Sequence, residues 1–321
     1  MKAIYIEQPG GVEVLKYGEI DKPTPGPGQA LVKLAASGVN FIDTYHRSGL
    51  YKVPLPAVLG TEGAGVVEAI GEGVEGFKPG DRVAYAMARG SYAEHAAVPA
   101  NFLVHVPESV ELRTAVAVML QGMTAHYLTH STFPLQKGQT ALVHAAAGGT
   151  GRLICQMAKL AGARVLGTAG SPEKAEVARK AGADEVILYK DQDFVAEVKR
   201  LTNGAGVDVV YDGVGQATFM KSLDCLRPRG MMVFFGQASG PVAPFDPLAL
   251  MSRGSLFLTR PGLANYVSPQ ELAWRSGDLF RWLSEKKLDL LIGREYPLKE
   301  AAQAHQDLEG RRTTGKLILS I

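Results

Sequence analysis

Residues 140–174 read TALVHAAAGGTGRLICQMAKLAGARVLGTAGSPEK, and the fold is decided here. Ala141, Leu142 and Val143 predict a short strand that runs into the turn Ala146-Ala147-Gly148-Gly149-Thr150-Gly151. Leu153, Ile154, Met157 and Leu160 follow at the three- and four-residue spacing of one buried helix face. A second strand is expected over Arg164–Ala169. This is a nucleotide-binding βαβ unit, in which a glycine-rich turn admits a pyrophosphate to the positive end of a helix. The turn departs from G-x-G-x-x-G in placing Ala146 first.

A site for an unphosphorylated dinucleotide needs an Asp or Glu at the end of the second strand, to accept from the ribose 2′-hydroxyl. Gly170-Ser171 stands there instead, with Lys174 one turn further on. A carboxylate would repel a 2′-phosphate, whereas a hydroxyl and an ammonium attract it. The expected cofactor is therefore NADPH, with Gly148, Gly149 and Thr150 at the pyrophosphate and Gly170, Ser171 and Lys174 at the 2′-phosphate. The plainer alternative for Lys174 is a solvated helix lysine.

Working outward, 321 residues at 46% hydrophobic content allow two globular domains. A net charge of +2 gives no reason to expect nucleic acid as a partner, and no apolar run is long enough for a membrane span. The opening MKAIYIEQPG has no apolar signal core and reads as a first strand. Cys155 and Cys225 are expected to be buried free thiols, so the chain reads as a cytoplasmic enzyme.

The pattern changes near residue 125. Before it, short strands (Ala3–Ile6, Ala30–Leu34, Gly65–Ile70, Arg82–Ala86, Tyr92–Val98) are punctuated by Gly and Pro, which predicts a β-barrel-like domain. Between Gly138 and Gly262 strands and helices alternate. Further strands are expected at Glu185–Tyr189, Val207–Asp212, Met231–Phe235 and Ser255–Thr259. Helices are expected at Asp193–Thr202 and Thr218–Leu226, the second closed by a breaker at Pro228–Gly230. Six strands complete a doubly wound sheet. The tail (helix 269–285, strand 294–298, helix 299–308, strand 316–321) is expected to rejoin the first domain. The α/β fold thus divides into a first domain of residues 1–124 plus 266–321 and a second of 125–265.

Several segments carry a family resemblance. Gly38-Val39-Asn40-Phe41-Ile42-Asp43, Gly60-Thr61-Glu62-Gly63-Ala64-Gly65-Val66-Val67, Lys78-Pro79-Gly80-Asp81-Arg82-Val83 and Ala145–Gly151 occur in the order found in the medium-chain dehydrogenase/reductase superfamily. More narrowly, NFIDTYHRSGLY (40–51), AAAGGTG (145–151) and GSLFLTRP (254–261) resemble the zinc-free, ζ-crystallin-like quinone oxidoreductases. The resemblance implies a GroES-like β-barrel catalytic domain built from both chain ends and a central doubly wound Rossmann domain. It implies a nicotinamide in the cleft between them. It also implies a homodimer joined through the last Rossmann strands.

Zinc enzymes of that superfamily place a Cys in the Gly-Val-x segment and a His before the Glu. Here those positions read Asn40 and Thr61, which are poor ligands beside thiolate and imidazole. Two cysteines cannot build a four-cysteine lobe. His126 and His130, four apart, read as a structural helix pair. No metal is expected.

By resemblance, Asn40, Phe41, Tyr45 and Thr124 line the nicotinamide end. Tyr45 is the expected donor to a developing oxyanion, and aromatic packing is its alternative. Asp43 is read as an orienting residue and Glu62 as structural. Tyr189 is placed to cover the adenine or bind the phosphate. Val214, Gly236, Leu258 and Arg260 lie at later strand ends, although Arg260 also suits a salt bridge. Arg311 reaches back to the adenosine end. His46 reads as a rim residue and Met87–Arg89 as a cleft mouth. Without a metal the substrate must be a ready hydride acceptor. The expected activity is NADPH-dependent reduction of a small-molecule quinone. An enone or alkenal reductase is the enzymatic alternative, and a non-catalytic NADPH-binding redox sensor the alternative of another class.

Overall fold

The computed structural model describes all residues, 1–321, which form two compact units: 1–123 with 267–321, and 124–266. The first unit opens with β1 (Lys2–Ile6) and β2 (Lys16–Glu19), followed by the long β3 (Gln29–Val39) and α1 (Phe41–Ser48). Then come β4 (Ala57–Val58), β5 (Glu62–Ile70), β6 (Arg82–Ala86), β7 (His95–Pro99), β8 (Leu103–His105) and α2 (Leu112–Tyr127). Strands β2-β1-β4 form one small sheet. β3 pairs antiparallel with both β5 and β7, and its register with β5 slips at Leu31/Val32 and Leu34/Ala36. Such bulges bend a strand. β3 is buried along most of its length, with Ala30, Val32 and Leu34 in one apolar cluster with Val67, Val83 and Tyr85.

The sequence reading did not anticipate α1, although its stop and start signals are present. Asp43, at the third helical position, accepts from the Asn40 backbone N–H at 2.9 Å, and Gly49 ends the helix at φ 80°. Phe41, Ile42, Thr44 and Tyr45 favour strands, and that masks the caps.

The second unit contains β9 (Thr140–Val143), α3 (Gly149–Leu160), β10 (Arg164–Ala169), α4 (Pro172–Lys180), β11 (Glu185–Leu188) and α5 (Phe194–Leu201). It continues through β12 (Val207–Asp212), α6 (Phe219–Leu223), β13 (Leu226–Phe234), α7 (Leu248–Ser252) and β14 (Phe257–Thr259). The sheet is parallel throughout, in the order β11-β10-β9-β12-β13-β14. The strand order reverses between β9 and β12, and such switch points are where doubly wound sheets bind ligands. The expected breaker at Pro228–Gly230 lies inside β13. Leu226 pairs with Val207 and Met231 with Val209, so the intervening residues bulge out, with Arg229 at φ 58°. The helix expected over Thr218–Leu226 is shorter, α6 ending at Leu223, because Leu226 is already the first residue of β13.

The chain then returns to the first unit as α8 (Pro269–Ser284), β15 (Ile292–Pro297), α9 (Ala301–Glu309) and β16 (Lys316–Ser320). Ser268 caps α8, accepting from Glu271 N. β16 pairs with β3, Leu317 opposite Val39, and completes the sheet β15-β16-β3-β5-β6-β8. This places Lys316 beside the end of β3, where Asn40 follows.

Candidate active site

In the first unit, three neighbouring strands bring together polar groups that lie far apart in sequence. Asn40 Oδ1 accepts from Lys316 Nζ at 2.8 Å, and Asn40 Nδ2 donates to Glu62 Oε2 at 2.8 Å. Lys316 also pairs with Glu62, and both side chains are almost fully buried. Leu120 N donates to the other Glu62 oxygen at 2.6 Å, and Gln121 Nε2 reaches Asn40 Oδ1 at 3.4 Å. Asn40 itself is 4% exposed.

Asp43 continues the network. Its carboxylate accepts from Asn40 N, from Thr61 Oγ1 at 2.9 Å and from Tyr92 OH at 3.2 Å. Burial pushes its pKa up to about 7 against the pull of the Asn40 and Thr61 donors and of Lys316. Arg47 Nη1 can only donate, so His305 Nδ1, 3.2 Å away, accepts. His305 Nε2–H then donates to Tyr92 OH at 3.0 Å, and Tyr92 donates to Asp43. Burial, reinforced by Arg47, pulls His305 down to about 3 and keeps it neutral. Glu309 receives two Arg47 N–H groups and closes the chain. Asn40 and Thr61, which occupy the ligand positions of zinc enzymes, are thus held by carboxylates and an ammonium. No group of three or more His, Cys, Asp or Glu is arranged to hold a metal ion.

Tyr45 is half-buried on α1, with the Tyr51 ring edge-on at 5.3 Å and Phe41 at 6.3 Å. The predicted trio Asn40, Phe41 and Tyr45 therefore shares one helix start. Tyr51, Gln121 and Lys316 were missed by the sequence reading. Lys316 carried no local signal, being one lysine in a strand. His46 Nδ1 is buried without a partner, and burial, then the Arg89 charge, lowers its pKa. His126 and His130 stack at 4.3 Å, with His130 Nδ1 3.2 Å from His126 O.

In the second unit, the turn after β9 places Gly148 as N-cap of α3, with Gly149 and Thr150 as its first residues. A side chain at Gly151 would overlap the Ala145 carbonyl, so glycine permits the close helix–strand approach. Beneath the turn, buried His144 bridges Thr168 Oγ1 (3.1 Å) and Ser222 Oγ (2.9 Å). Asp212, at the end of β12, accepts from Val214 N, Gly215 N and Thr218 Oγ1 and so shapes the neighbouring loop. Gly236 lies against Gly213, where a Cβ would come within 2.7 Å of its carbonyl. Arg260 stacks over Phe234 at 4.7 Å and donates to its carbonyl at 3.3 Å, with Leu258 half-buried two residues earlier.

Gly170 and Ser171 follow β10, with Tyr189 against Gly170 and the Lys174 backbone N–H donating to Ser171 Oγ at 3.4 Å. A Cβ at Gly170 would lie 2.7 Å from the Tyr189 hydroxyl, so glycine lets Tyr189 stand beside the strand end. Ser171 caps α4, and Lys174 is half-buried in its first turn. A hydrogen bond from Ser171 holds the exposed Glu173 carboxyl below its usual range. No acidic residue occupies the ribose position itself. A hydroxyl, an ammonium and a phenol are the side-chain groups that suit a 2′-phosphate, which is the group that distinguishes NADPH. Thr124 opens the second unit, half-buried on α2. Arg311 belongs to the first unit and is exposed at φ 55° just after α9.

Residues 26–108 match the alcohol dehydrogenase GroES-like domain, and residues 149–264 match the zinc-binding dehydrogenase family. The latter segment contains no histidine, and burial pushes its two thiols, Cys155 and Cys225, up to about 12. Over 99% of both chains, the sequence is 46% identical to a quinone oxidoreductase of Pseudomonas aeruginosa. The chain belongs to the zinc-free quinone oxidoreductase family. The structure of the Escherichia coli quinone oxidoreductase complexed with NADPH superposes with a TM-score of 0.98, at 42% identity and full coverage of both chains. A 2-haloacrylate reductase of Burkholderia is 43% identical, over 99% of this chain and 98% of that protein.

Proposed function

We propose that this chain is an NADPH-dependent quinone oxidoreductase that works without a metal ion. The observation that carries the reading is the set Gly170, Ser171, Lys174 and Tyr189 after β10, with Gly170-Ser171 standing where a site for an unphosphorylated dinucleotide has its acid. When bound, NADPH supplies the hydride. The chain's own residues bind and orient it. The α3 N–H groups at Gly148, Gly149 and Thr150 face the pyrophosphate, and Ser171, Lys174 and Tyr189 take the 2′-phosphate. Val214, Gly236, Leu258 and Arg260 wall the strand ends, and Arg311 serves the adenosine end. Asn40, Phe41, Tyr45 and Thr124 hold the nicotinamide end.

A quinone suits this equipment because its reduction yields an aromatic hydroquinone, so no Lewis acid is required. Tyr45 then stabilises the oxygen on which charge develops, by donating its phenolic hydrogen. The network from Asn40 to Glu309 holds that end of the site rigid and excludes water from its buried members. The 2-haloacrylate reductase relative favours activated double bonds as a second substrate class.

The molecule acts as a homodimer in the cytoplasm. β14 is the outermost strand of its sheet, and Phe257 on it is 57% exposed, close in sequence to exposed Leu248 and Met251. An apolar, unpaired edge of this kind suits pairing with a second copy. No helix is long and apolar enough to cross a membrane.

Oxidation of NADPH and NADH at matched concentrations, with quinone and enone panels and a chelator present, tests the reading. Chelator-insensitive NADPH turnover with quinones is expected. Turnover with enones alone would move the activity to double-bond reduction, and binding without turnover would point to a sensor.

A further inference from the structure

The Asn40 amide is oriented by a buried ion pair. An amide can be turned end for end with little change in shape, so something must decide whether it offers oxygen or nitrogen. Here the decision is electrostatic. Lys316 has only donors, and it faces Oδ1, while Glu62 has only acceptors, and it faces Nδ2. One Nδ2 hydrogen goes to Glu62, and the second has no acceptor within the chain.

The pair is costly to bury, and an apolar pair of similar volume would hold three strands together at least as well. An apolar pair could not orient an amide. The surroundings are also adapted to the pair: Gly38 lies between its members, and a methyl there would overlap the Glu62 carboxylate and lie 2.8 Å from Lys316 Nζ.

We propose that Lys316 is a positioning residue for hydride transfer. With Glu62 it locks the Asn40 amide so that the second Nδ2 hydrogen is what Asn40 presents to a carbonyl-type oxygen of the cofactor or substrate. The proposal rests on the reading that Asn40 faces the nicotinamide end of a quinone reductase.

The test uses the full-length enzyme and the double variant Lys316→Met/Glu62→Gln, which removes both charges and leaves neither orphaned. Wild type is first assayed with NADPH and a quinone. No turnover would remove the functional reading and this proposal together. With wild-type turnover in hand, the double variant is expected to retain NADPH affinity within about twofold while kcat falls roughly tenfold, the signature of lost orientation. In an Asn40→Ala background the same two changes should alter kcat less than about twofold. An unchanged kcat in the folded variant overturns the proposal, and so does an equal fall in both backgrounds. If the double variant does not fold, Lys316→Arg, which keeps the buried charge but displaces its donors, is put through the same two comparisons with the same criteria.

Discussion

The Lys316 ammonium and the Glu62 carboxylate meet across Gly38, whose missing side chain is the space they occupy. Three strands, β16, β3 and β5, contribute one residue each. Gly38→Ala should therefore force the buried pair apart and leave two charges without full compensation. Stability is expected to fall by about 3 kcal/mol or more, read as a lowered midpoint in urea. A fall below 1 kcal/mol would show that the pair relocates freely.

Asp43 links stability to pH. Its folded pKa, near 7, stands above the ordinary 3.8, so the folded state binds the proton more tightly than the unfolded state. Its contribution is present in full below about pH 4 and is lost as pH rises through 7. Asp43→Asn imitates the protonated form. Relative to that variant, wild type should lose stability steadily from pH 4 to 7 and change little above pH 8, as thermal melts across that range would reveal.

Lys174→Ala should weaken NADPH binding about tenfold and leave NADH nearly untouched, the effect of losing one charge-assisted contact to a phosphate. Glu173→Gln should act in the opposite direction by a few-fold, because its carboxylate draws the Ser171 hydroxyl away and repels a phosphate beside it. Fluorescence titrations with both dinucleotides read the two effects.

Tyr45→Phe keeps the ring against Tyr51 and removes only the hydroxyl. We expect kcat with quinones to fall tenfold or more with KM changed less than threefold. Equal kcat values would reduce Tyr45 to a packing residue.

Phe257→Glu places a charge on the exposed edge of β14. Sedimentation should show a homodimer for wild type and a monomer for the variant, with the circular dichroism of the two unchanged.

Much of this was legible in local pattern. The βαβ unit announced itself because a strand, a glycine turn and an amphipathic helix follow one another within thirty-five residues, and their spacing reflects backbone geometry. Six parallel strands followed from the same alternation. Pro228–Gly230 misled because Pro and Gly mark both chain breaks and bulges, and only the pairing of β13 with β12 tells them apart. α1 was hidden by residues of strand propensity whose caps outweigh it.

Sequence alone determined the family, the nucleotide-binding βαβ unit and the absence of an acid at the end of its second strand, since each is a property of neighbours along the chain. Tertiary structure decided the rest of the site. Lys316 lies 276 residues from Asn40, and His305 lies 213 from Tyr92. Only the antiparallel return of β16 onto β3 brings that ammonium to the amide, and only burial makes their charges matter. No spacing rule encodes a contact between the two ends of a chain; it forms when the sheet closes over it and water is gone.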